Sequence, residues 1–488
     1  MKVELRIPVN RVEGDLDINV VIEDNVIVDA KSIGTMYRGF ENILKKRDPL
    51  DALVITPRVC GICSVSHLLA SVKALEDAYE IDPPIQAKRL RNISIISECL
   101  QSDLRQFFLM FMADFANEIY QNKDFYEEAK RLYAPFRGEM SKKTLDITKD
   151  IVKIIAYIGG QWPHTSHMVP GGLAVVFDDL EVLRIRFLIL QIKEWYEKEV
   201  LKASFDEFQI SSFRELEEFN KKHPDSQIAI FTKYCKETNL LNAGISGYGF
   251  INYNSIDTED GYKIKKSYFD GKLHDLDIDK ITEDVFYSYF EGDVENPMFE
   301  ETIVDIDKKN AYSFAKAPRY KEKVAQTGPL GEELALGNRL FLDLYENFND
   351  SVYVRELARI LRPMRFIKWL EEEIDKVIFN ANSPTYIKQP KKENARGIGL
   401  THAARGALGH WVEIEKGKIK RYQIISPTTW NGSPMDEFNQ KGPWEEALVG
   451  TYIKDLDNPI ELGHIIRSFD PCLVCTVHFI DKDIRFSV

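Results

Sequence analysis

The chain has 488 residues, of which 44% are hydrophobic, and a formal net charge of -13. This length is sufficient for a large buried core in one or several domains. Its negative charge and mixed acidic and basic residues argue against a nucleic-acid partner, which needs a clustered basic face. No apolar run is long enough to span a bilayer and the first residues lack a signal-peptide profile, so we expect a cytoplasmic protein without its own membrane span. Export or membrane attachment through a partner chain remains open.

The N-terminal part of the chain is predicted to be rich in β-strands and the next part rich in helices. Residues 3–35 alternate apolar and polar side chains, which is typical of short antiparallel strands. Apolar residues then recur at helical spacing over 64–79 and over 84–133, which predicts long packed helices. A glycine-rich loop is expected at 159–172, and a further helix over 178–205.

The second half of the chain indicates a return to the same architecture after an elaboration. Residues 206–325 shift toward Asp, Lys, Tyr and short alternating runs, which predicts a mixed α/β elaboration. Helices are expected over 329–380 and strands over 397–425. We therefore predict an α+β fold, with a large helical-bundle core and small antiparallel sheets near the N-terminus and before the C-terminus. Residues 1–488 are expected to form a single domain.

Two Cys-x-x-Cys pairs, Cys60–Cys63 and Cys472–Cys475, lie near opposite ends of the chain. Each spacing lets two sulfurs reach one ion, and thiolates select zinc, nickel, copper or iron–sulfur centres. Cys63 lies at a predicted helix start, where backbone N–H groups favour thiolate. Six cysteines are few for this length and four of them lie in the two pairs, which favours metal ligation in a reducing compartment over a disulfide framework. Cys99 and Cys235 are expected to be small buried apolar residues. By spacing alone, a structural zinc site is an alternative.

Seven motifs, in the same order, resemble those of the large, catalytic subunit of nickel–iron hydrogenases. Beside the two cysteine pairs they are Arg11–Gly14, Tyr37–Glu41, Gln161–His164, Arg405–Trp411 and Tyr422–Asn431. The match covers nearly the whole chain and displaces the zinc interpretation. The resemblance implies that the chain is an oxidoreductase of the uptake type, which reversibly oxidises H2 to protons and electrons. The alternatives are a regulatory H2 sensor with low turnover and a structural relative that kept only the fold.

The resemblance also implies the ligands of the catalytic metals. All four cysteines would bind nickel. Cys63 and Cys475 would also bridge to an iron that carries carbon monoxide and cyanide. A metal that polarises H2 makes it more acidic, so a nearby base can take the proton.

Three further side chains correspond to catalytic positions of the family. Glu13 matches the proton-transfer glutamate, a role that burial supports when it raises the carboxyl pKa. Arg405 matches an arginine held over the metals, and Asp470 matches the aspartate that partners it. Without the resemblance, these residues would be interpreted as a capping or ion-paired glutamate, a surface arginine and a turn-forming aspartate.

A second, hard-metal site is implied by Glu41, the backbone carbonyl of Ile424 and His478. They correspond to ligands of magnesium or a similar ion, which prefers oxygen ligands and water. His67 and His164 match motif histidines expected to lie toward the partner subunit. A hydrogen-bonded structural role is the alternative for both histidines.

Several departures from the family pattern occur around these motifs. Asp15 stands where many members have His, Ala404 where some have Pro, and Ser102 where some have an aspartate near the metals. None of them removes a metal ligand. They change side chains that could hydrogen-bond around the metal centre. The motifs therefore do not predict the catalytic bias or the oxygen tolerance.

The chain implies partner proteins. No cysteines are left for iron–sulfur clusters, so an iron–sulfur small subunit is expected to carry the electrons away. In the family, an endopeptidase cuts after the position of His478 once nickel is loaded. Residues 479–488 therefore resemble a cleavable propeptide, and a maturation endopeptidase and nickel-insertion proteins are expected partners. A retained ordinary tail is the alternative.

Overall fold

The computed structural model describes residues 2–175, 179–379, 383–388, 390 and 392–476. The α-helices are α1 (Phe40–Leu44), α2 (Ala52–Ile55), α3 (Ser64–Tyr79), α4 (Ile85–Arg105), α5 (Tyr126–Tyr133), α6 (Glu139–Gly159), α7 (Asp179–Trp195), α8 (Phe213–Lys222), α9 (Gln227–Glu237), α10 (Pro329–Ala335), α11 (Arg339–Phe348), α12 (Val352–Phe379), α13 (Pro427–Asn431), α14 (Pro443–Leu448), α15 (Ile460–Ser468) and α16 (Leu473–Thr476). Among the described residues, no helix is both long and apolar enough to cross a lipid bilayer.

The strands are short and fall into several small sheets. They are β1 (Lys2–Pro8), β2 (Leu16–Glu23), β3 (Val26–Gly34), β4 (Met168–Val169), β5 (Gly172–Leu173), β6 (Gly249–Asn252), β7 (Ser255–Thr258), β8 (Gly261–Ile264), β9 (Ser267–Phe269), β10 (Leu273–Asp275), β11 (Ile281–Asp284), β12 (Ala317–Tyr320), β13 (Ala325–Gln326), β14 (Ala395–Ala403), β15 (Gly406–Glu415) and β16 (Lys418–Ile425). The sheet orders are β1-β2-β3, β10-β9-β6-β13, β14-β15-β16 and the pairs β4-β5, β7-β8 and β11-β12.

A bundle of four long helices forms the centre of the molecule. Helix α4 packs against α6 and α12, and α7 packs against the same two helices. The amphipathic pattern of α6 explains its packing, because Ile147, Ile151, Ile154 and Ile158 recur at helical spacing and are all buried. The predicted helical core is confirmed.

Antiparallel sheets lie at both ends of the chain, as predicted. Strand β2 alternates between fully and partly buried residues, because one face of the β1-β2-β3 sheet is turned to the core. Helix α3 packs closely on β14 of the second sheet. Gly399 permits this approach, since a Cβ there would lie 1.9 Å from the carbonyl oxygen of Ala70.

The long helical stretch predicted over 84–133 is interrupted in the structure, so this prediction was wrong in part. Helix α4 ends at Arg105, and α5 begins only at Tyr126. Asn117 has extended backbone angles, and its side chain accepts a hydrogen bond from the Ile119 N–H, which competes with helix formation. The intervening segments are a π-helix at Gln106–Phe111 and 3-10 helices at Met112–Ala116 and Glu118–Tyr120.

The segment 206–325 contains helices α8 and α9 followed by short strands, which agrees with the mixed α/β prediction. It is tied to the rest of the chain through β6, which pairs in parallel with β13 and contacts α10 and β15. Strand β15 begins directly after Arg405, so this segment contacts the second sheet near the candidate site.

Candidate metal centre

Three cysteine thiols from opposite ends of the chain meet in the interior. The Sγ atoms of Cys60, Cys63 and Cys472 all lie within 4.8 Å of one another. Cys60 Sγ and Cys472 Sγ are 3.5 Å apart. None of the described cysteines forms a disulfide. Because the three thiols are buried and converge without forming a disulfide, they fit a soft metal.

Cys475 belongs to the same C-terminal motif, in the short helix α16. Its side chain lies outside the part of the chain that the structure describes, as do His478 and residues 479–488. The structure therefore brings three of the four predicted thiol ligands together and does not test the fourth.

The start of helix α3 fixes the N-terminal pair. Cys63 is the N-cap residue of α3, and its carbonyl accepts a hydrogen bond from the His67 N–H at 3.1 Å. Glu98, on α4, accepts hydrogen bonds from the Val65 and Ser66 N–H groups, both at 2.8 Å. This carboxylate supplies from another helix the cap that the α3 N-terminus needs. Burial raises the pKa of Glu98 to about 7.

The C-terminal pair is held against the Arg-Val-Glu-Gly motif by backbone pairing. Glu13 and Cys472 form an isolated parallel β-bridge. The Leu473 N–H donates to the Glu13 carbonyl at 2.7 Å, and the Glu13 N–H donates to the Pro471 carbonyl at 3.3 Å. Gly14, with φ +85°, is required at this approach, because a Cβ there would lie 2.9 Å from the Val474 nitrogen.

Arg38 connects the two cysteine motifs through their backbones. Its guanidinium donates to the carbonyl oxygens of Val59 at 2.8 Å, Arg58 at 2.9 Å and Val474 at 3.5 Å. The sequence placed this arginine within a family motif but assigned it no role. Its partners are backbone groups, which no side-chain pattern reveals.

Asp114 binds the N-terminal motif to the C-terminal helix α15. Its side chain is fully buried and pairs with Arg11 and with Arg467, whose Nε and Nη2 lie 2.7 Å and 2.9 Å from its two oxygens. The two guanidiniums lower the pKa of Asp114 even though burial opposes this. Sequence analysis missed this residue, because an aspartate in a predicted helix gives no sign of its distant partners.

The Glu13 carboxyl is half-buried beside the thiols. Burial raises its pKa, and the nearby Cys60 thiol raises it further, while the cations Arg405 and Arg38 act in the opposite direction. The net direction is upward, toward the pH range in which a carboxyl both accepts and releases a proton.

Arg405 and Asp470 form a buried ion pair at the centre. Arg405 Nη2 lies 2.9 Å from Asp470 Oδ1, and Arg405 Nε donates to the Asp470 carbonyl at 2.9 Å. Burial alone would lower the pKa of Arg405, but Asp470 and the thiols of the three described cysteines raise it well above its usual value. Within the described residues, Arg405 Nη1 is buried without a hydrogen-bond partner.

A buried acidic cluster surrounds the predicted hard-metal ligands Glu41 and Ile424. Glu41 is 5% exposed, and its Oε1 accepts the Ile424 N–H at 3.1 Å. Nearby, Lys316 Nζ lies 2.6 Å from Glu300 Oε1 and 3.7 Å from Glu283 Oε2. Three buried carboxyls thus share one lysine, a donor set that suits an additional hard cation. Burial raises the pKa of Glu41.

The two motif histidines occupy different positions. His67 is only 1% exposed and its Nδ1 lies 3.1 Å from His410 Nε2, which fits the hydrogen-bonded structural role that was its alternative. Burial lowers the pKa of His67 to about 4 and keeps it neutral. His164 is partly exposed, and its Nδ1 lies 2.9 Å from the Pro57 carbonyl. Pro57 shortly precedes the N-terminal thiol loop, which is the loop that carries Cys60 and Cys63.

Comparison with known proteins gives a consistent result over the whole chain. The sequence profile of the family described as nickel-dependent hydrogenase matches residues 38–142 and 140–478. The periplasmic [NiFeSe] hydrogenase large subunit of Desulfomicrobium baculatum is 32% identical, over 99% of this chain and 96% of the relative. The hydrogenase-2 large chain of Escherichia coli K12 is 27% identical, over 98% of this chain and 97% of the relative.

Solved structures show the same relationship. The H2-activated [NiFeSe]-hydrogenase of Dm. baculatum superimposes with a TM-score of 0.85 and 29% identity, covering 98% of this chain and 100% of that chain. The Ni-Fe-Se hydrogenase of D. vulgaris Hildenborough gives a TM-score of 0.84 at 27% identity, with the same coverage. Given three converging thiols and a profile match over most of its length, the chain belongs to the nickel-dependent hydrogenase family, as the catalytic large subunit of a nickel–iron hydrogenase.

Proposed function

We propose that this chain oxidises H2 reversibly to protons and electrons as an uptake-type enzyme. The observation that carries the proposal is the convergence of Cys60, Cys63 and Cys472 within 4.8 Å in a buried site. Cys475 would complete the set as the fourth residue that holds nickel. Cys63 and Cys475 would also hold an iron with carbon monoxide and cyanide ligands. The name of the Dm. baculatum relative includes selenium, whereas this sequence has cysteine at all four positions, so the proposed donor set is sulfur alone.

When held by these cysteines, nickel and iron would supply the redox chemistry and would make bound H2 more acidic. In our proposal the Glu13 carboxylate accepts the first proton. Its half-buried position and raised pKa support this role. Arg405 orients the substrate with the Nη1 group that has no other partner among the described residues, and Asp470 fixes the guanidinium from the opposite side.

We propose a magnesium ion at Glu41, the Ile424 carbonyl and His478. Support comes from the charge of the cluster, because Glu41, Glu283 and Glu300 are buried around Lys316. In the described part of the chain, Glu283 Oε2 and Glu300 Oε2 have no hydrogen-bond partner. A divalent cation in this cluster would balance the excess negative charge.

An iron–sulfur small subunit is the proposed electron acceptor. Cys99 and Cys235 are buried in the hydrophobic core, so they are poorly placed to hold a cluster. For the docking surface we propose an apolar groove of about 750 Å³ next to the N-terminal thiol loop. It includes the side chains of Leu50, Val54 and Tyr386, which are 41%, 50% and 47% exposed.

Maturation is proposed to end with removal of residues 479–488 by an endopeptidase after nickel-insertion proteins have acted. Cys472 and Cys475 must reach Cys60 and Cys63 from the far end of the chain, so a C-terminal extension could hold them apart until nickel is inserted. The same closure supports our proposal that residues 1–488 form one domain with 206–325 as an elaboration. Mass spectrometry of the native protein tests the cleavage.

The cytoplasmic location is also a proposal, and it depends on partners. The Dm. baculatum relative is named periplasmic. A partner that carries an export signal would place this chain in the periplasm as well. Cell fractionation with antibodies against both subunits decides between the two locations.

The proposed function is tested by metal analysis, infrared spectroscopy and H2 turnover on protein co-produced with its small subunit and maturation proteins. We expect nickel and iron, the carbon monoxide and cyanide stretches, and H2 oxidation with an artificial acceptor. Cys472→Ala should lose nickel and activity, while Cys235→Ala, which removes an equally buried thiol elsewhere, should keep both. Zinc alone in mature protein would overturn the proposal. Both metals with slow turnover would indicate a sensor.

A further inference from the structure

The carboxylate of Asp470 lies between two arginines. Arg405 Nη2 is 2.9 Å from Oδ1, and Arg359 Nη1 is 3.1 Å from Oδ2. All three side chains are at most 4% exposed. The Arg359 contact has the distance of an ion pair but not the alignment of a hydrogen bond. Each oxygen of Asp470 therefore faces a different cation, and rotation of the carboxylate would break one of the two contacts.

Arg359 is itself held in place from helix α4. Its Nη1 lies 3.1 Å from Asp103 Oδ1. Asp103 also pairs with Arg362, whose Nη2 and Nε lie 2.6 Å and 2.9 Å from its oxygens. Arg362 Nη2 donates to the Ala404 carbonyl at 2.7 Å, directly before Arg405. Helix α12 therefore reaches the Arg405 region by two routes, one through Asp470 and one through the backbone.

The spacing on α12 continues this arrangement toward the surface. Arg359, Arg362 and Arg365 recur every third residue, which places them along one side of the helix. Arg362 Nη1 lies 2.8 Å from Glu332, and Arg365 Nη2 lies 2.6 Å from Glu333. Cations and carboxylates alternate from the thiol centre to Arg365, whose side chain is 18% exposed. The Arg405–Asp470 pair is thus the inner end of an alternating network.

The geometry of the inner pair gives Arg359 a specific task. An arginine and a carboxylate prefer a bidentate arrangement, in which two N–H groups meet two oxygens. Here Asp470 presents only Oδ1 to the Arg405 fork, and Arg405 Nη1 has no partner among the described residues. Arg359 attracts Oδ2 away from that fork. A buried charge is costly, so such a second cation is expected where it fixes a conformation.

We propose that Arg359 is a positioning residue that holds Asp470 in this orientation and so keeps the Arg405 Nη1 group available at the thiol centre. The proposal rests on the proposed function only for its catalytic consequence. Without Arg359, Asp470 turns to Arg405 and binds it through both oxygens. The Nη1 group is then occupied, and the proposed substrate orientation is lost.

Three variants of the assembled enzyme test this proposal. Arg359→Met removes the charge at similar length, and Arg359→Lys keeps a cation. Arg365→Met is the matched control on the same helix, since Arg365 contacts neither Asp470 nor Arg405. Crystal structures, the carbon monoxide and cyanide infrared bands, and kcat and KM for H2 are the measurements.

In Arg359→Met we expect Asp470 in bidentate contact with Arg405, shifted infrared bands and a kcat at least about tenfold lower, because small misplacements of an orienting group are costly. Arg359→Lys should restore part of the kcat and of the band positions, and Arg365→Met should match the parent. A lower melting temperature with unchanged Asp470 geometry, bands and kcat would overturn the proposal. If Arg359→Met does not fold, Arg359→Gln, which also lacks the charge but keeps polar groups, takes its place, and parental Asp470 geometry, bands and kcat in that variant would overturn the proposal.

Failure of the proposed function would look different. In that case the parent itself would lack the infrared bands and H2 turnover. The orientation of Asp470 in the variant crystal structures would still decide whether Arg359 positions it.

Discussion

The carboxyl of Glu13 lies where the N-terminal motif meets the C-terminal cysteine motif. We predict that Glu13→Gln lowers kcat for H2 oxidation by about 100-fold or more, since a positioned acid–base group typically contributes that much. Nickel and iron content should be unchanged, because the amide keeps the side-chain volume. The measurement is H2-dependent reduction of an artificial acceptor, together with metal analysis.

The matched control for this prediction is Asp15→Asn. Asp15 is exposed and lies two residues along the same segment. It should retain the parental rate. Parental turnover in Glu13→Gln would rule out Glu13 as the first proton acceptor.

A second prediction at the residue scale concerns acid stability. Burial lowers the pKa of His167 to about 3, with a smaller contribution from Arg91. The unfolded residue titrates near pH 6.5, so between these two pH values the unfolded chain binds a proton that the native chain does not. Stability is therefore unaffected above pH 6.5 and falls as the pH drops from 6.5 toward 3, by an amount on the order of a few kcal/mol.

His167→Gln should weaken this pH dependence. Its neighbours are hydroxyls, with Thr165 Oγ1 at 2.9 Å and Ser94 Oγ at 3.2 Å, which an amide can also bond. We expect a lower melting temperature than the parent at pH 7.5 and a smaller difference at pH 4.5. An equal difference at both pH values would contradict the assignment of a neutral His167.

At the scale of elements, the contact between helix α3 and strand β14 positions the N-terminal thiols. A Cβ at Gly399 would lie 1.9 Å from the Ala70 carbonyl oxygen and 2.4 Å from the Ala74 nitrogen. We predict that Gly399→Ala destabilises the protein by about 1–3 kcal/mol or more, because a well-packed interface cannot absorb a methyl group. It should also reduce nickel retention, since α3 begins directly after Cys63.

Melting temperature and nickel content check this prediction. Gly61→Ala serves as the folding control, because no atom beyond its two chain neighbours lies within 4 Å of the position its Cβ would take. If Gly399→Ala kept the parental melting temperature, the close packing of these two elements would not be a determinant of stability.

At the scale of the whole molecule, Asp114 joins segments from both ends of the chain. Its two arginine partners, Arg11 and Arg467, would be left without a buried counter-charge in Asp114→Asn. Breaking such a group typically costs about 3–5 kcal/mol. We expect that loss in unfolding free energy, with faster hydrogen exchange in residues 10–14 and 460–472.

The control is a surface ion pair of similar length. Arg131 and Glu139 are 2.7 Å apart, and both side chains are more than half exposed. Glu139→Gln should change stability by less than about 1 kcal/mol. Uniform hydrogen exchange in Asp114→Asn, without a local increase in residues 10–14 and 460–472, would contradict the proposed role of Asp114 in joining these two segments.

The apolar groove provides the remaining prediction at this scale. Val54→Asp should reduce recovery of the small subunit with the large one at least about tenfold, because a carboxylate would be desolvated in the interface. Phe136→Asp is the control, since Phe136 is 86% exposed. It lies near the start of the 21-residue helix α6, about 30 Å from Gly159 at the end of that helix. Co-purification and size-exclusion chromatography are the measurements. Equal recovery of both variants would exclude this groove.

Much of the architecture followed from local patterns in the sequence. The alternation over residues 3–35 predicted the first sheet, and the helical spacing over 64–79 coincided with α3. The helical spacing over 84–133 predicted continuous helices and failed after Arg105, where Asn117 and the buried Asp114 follow. Periodicity reports which faces of a segment are apolar, but not which polar side chain will bond to its own backbone or to a distant partner.

The sequence by itself determined the family, the motif order and the candidate ligands, because each of these is a short arrangement of residue types. Only the tertiary structure decided how they are held: the cap that Glu98 gives α3, the contact of Arg359 with Asp470, and the burial of His67. The physical reason is that the partner of a buried charge is set by packing between segments that are not adjacent in sequence. Inside a low-dielectric core each such charge must be matched, and only the folded chain specifies by which group.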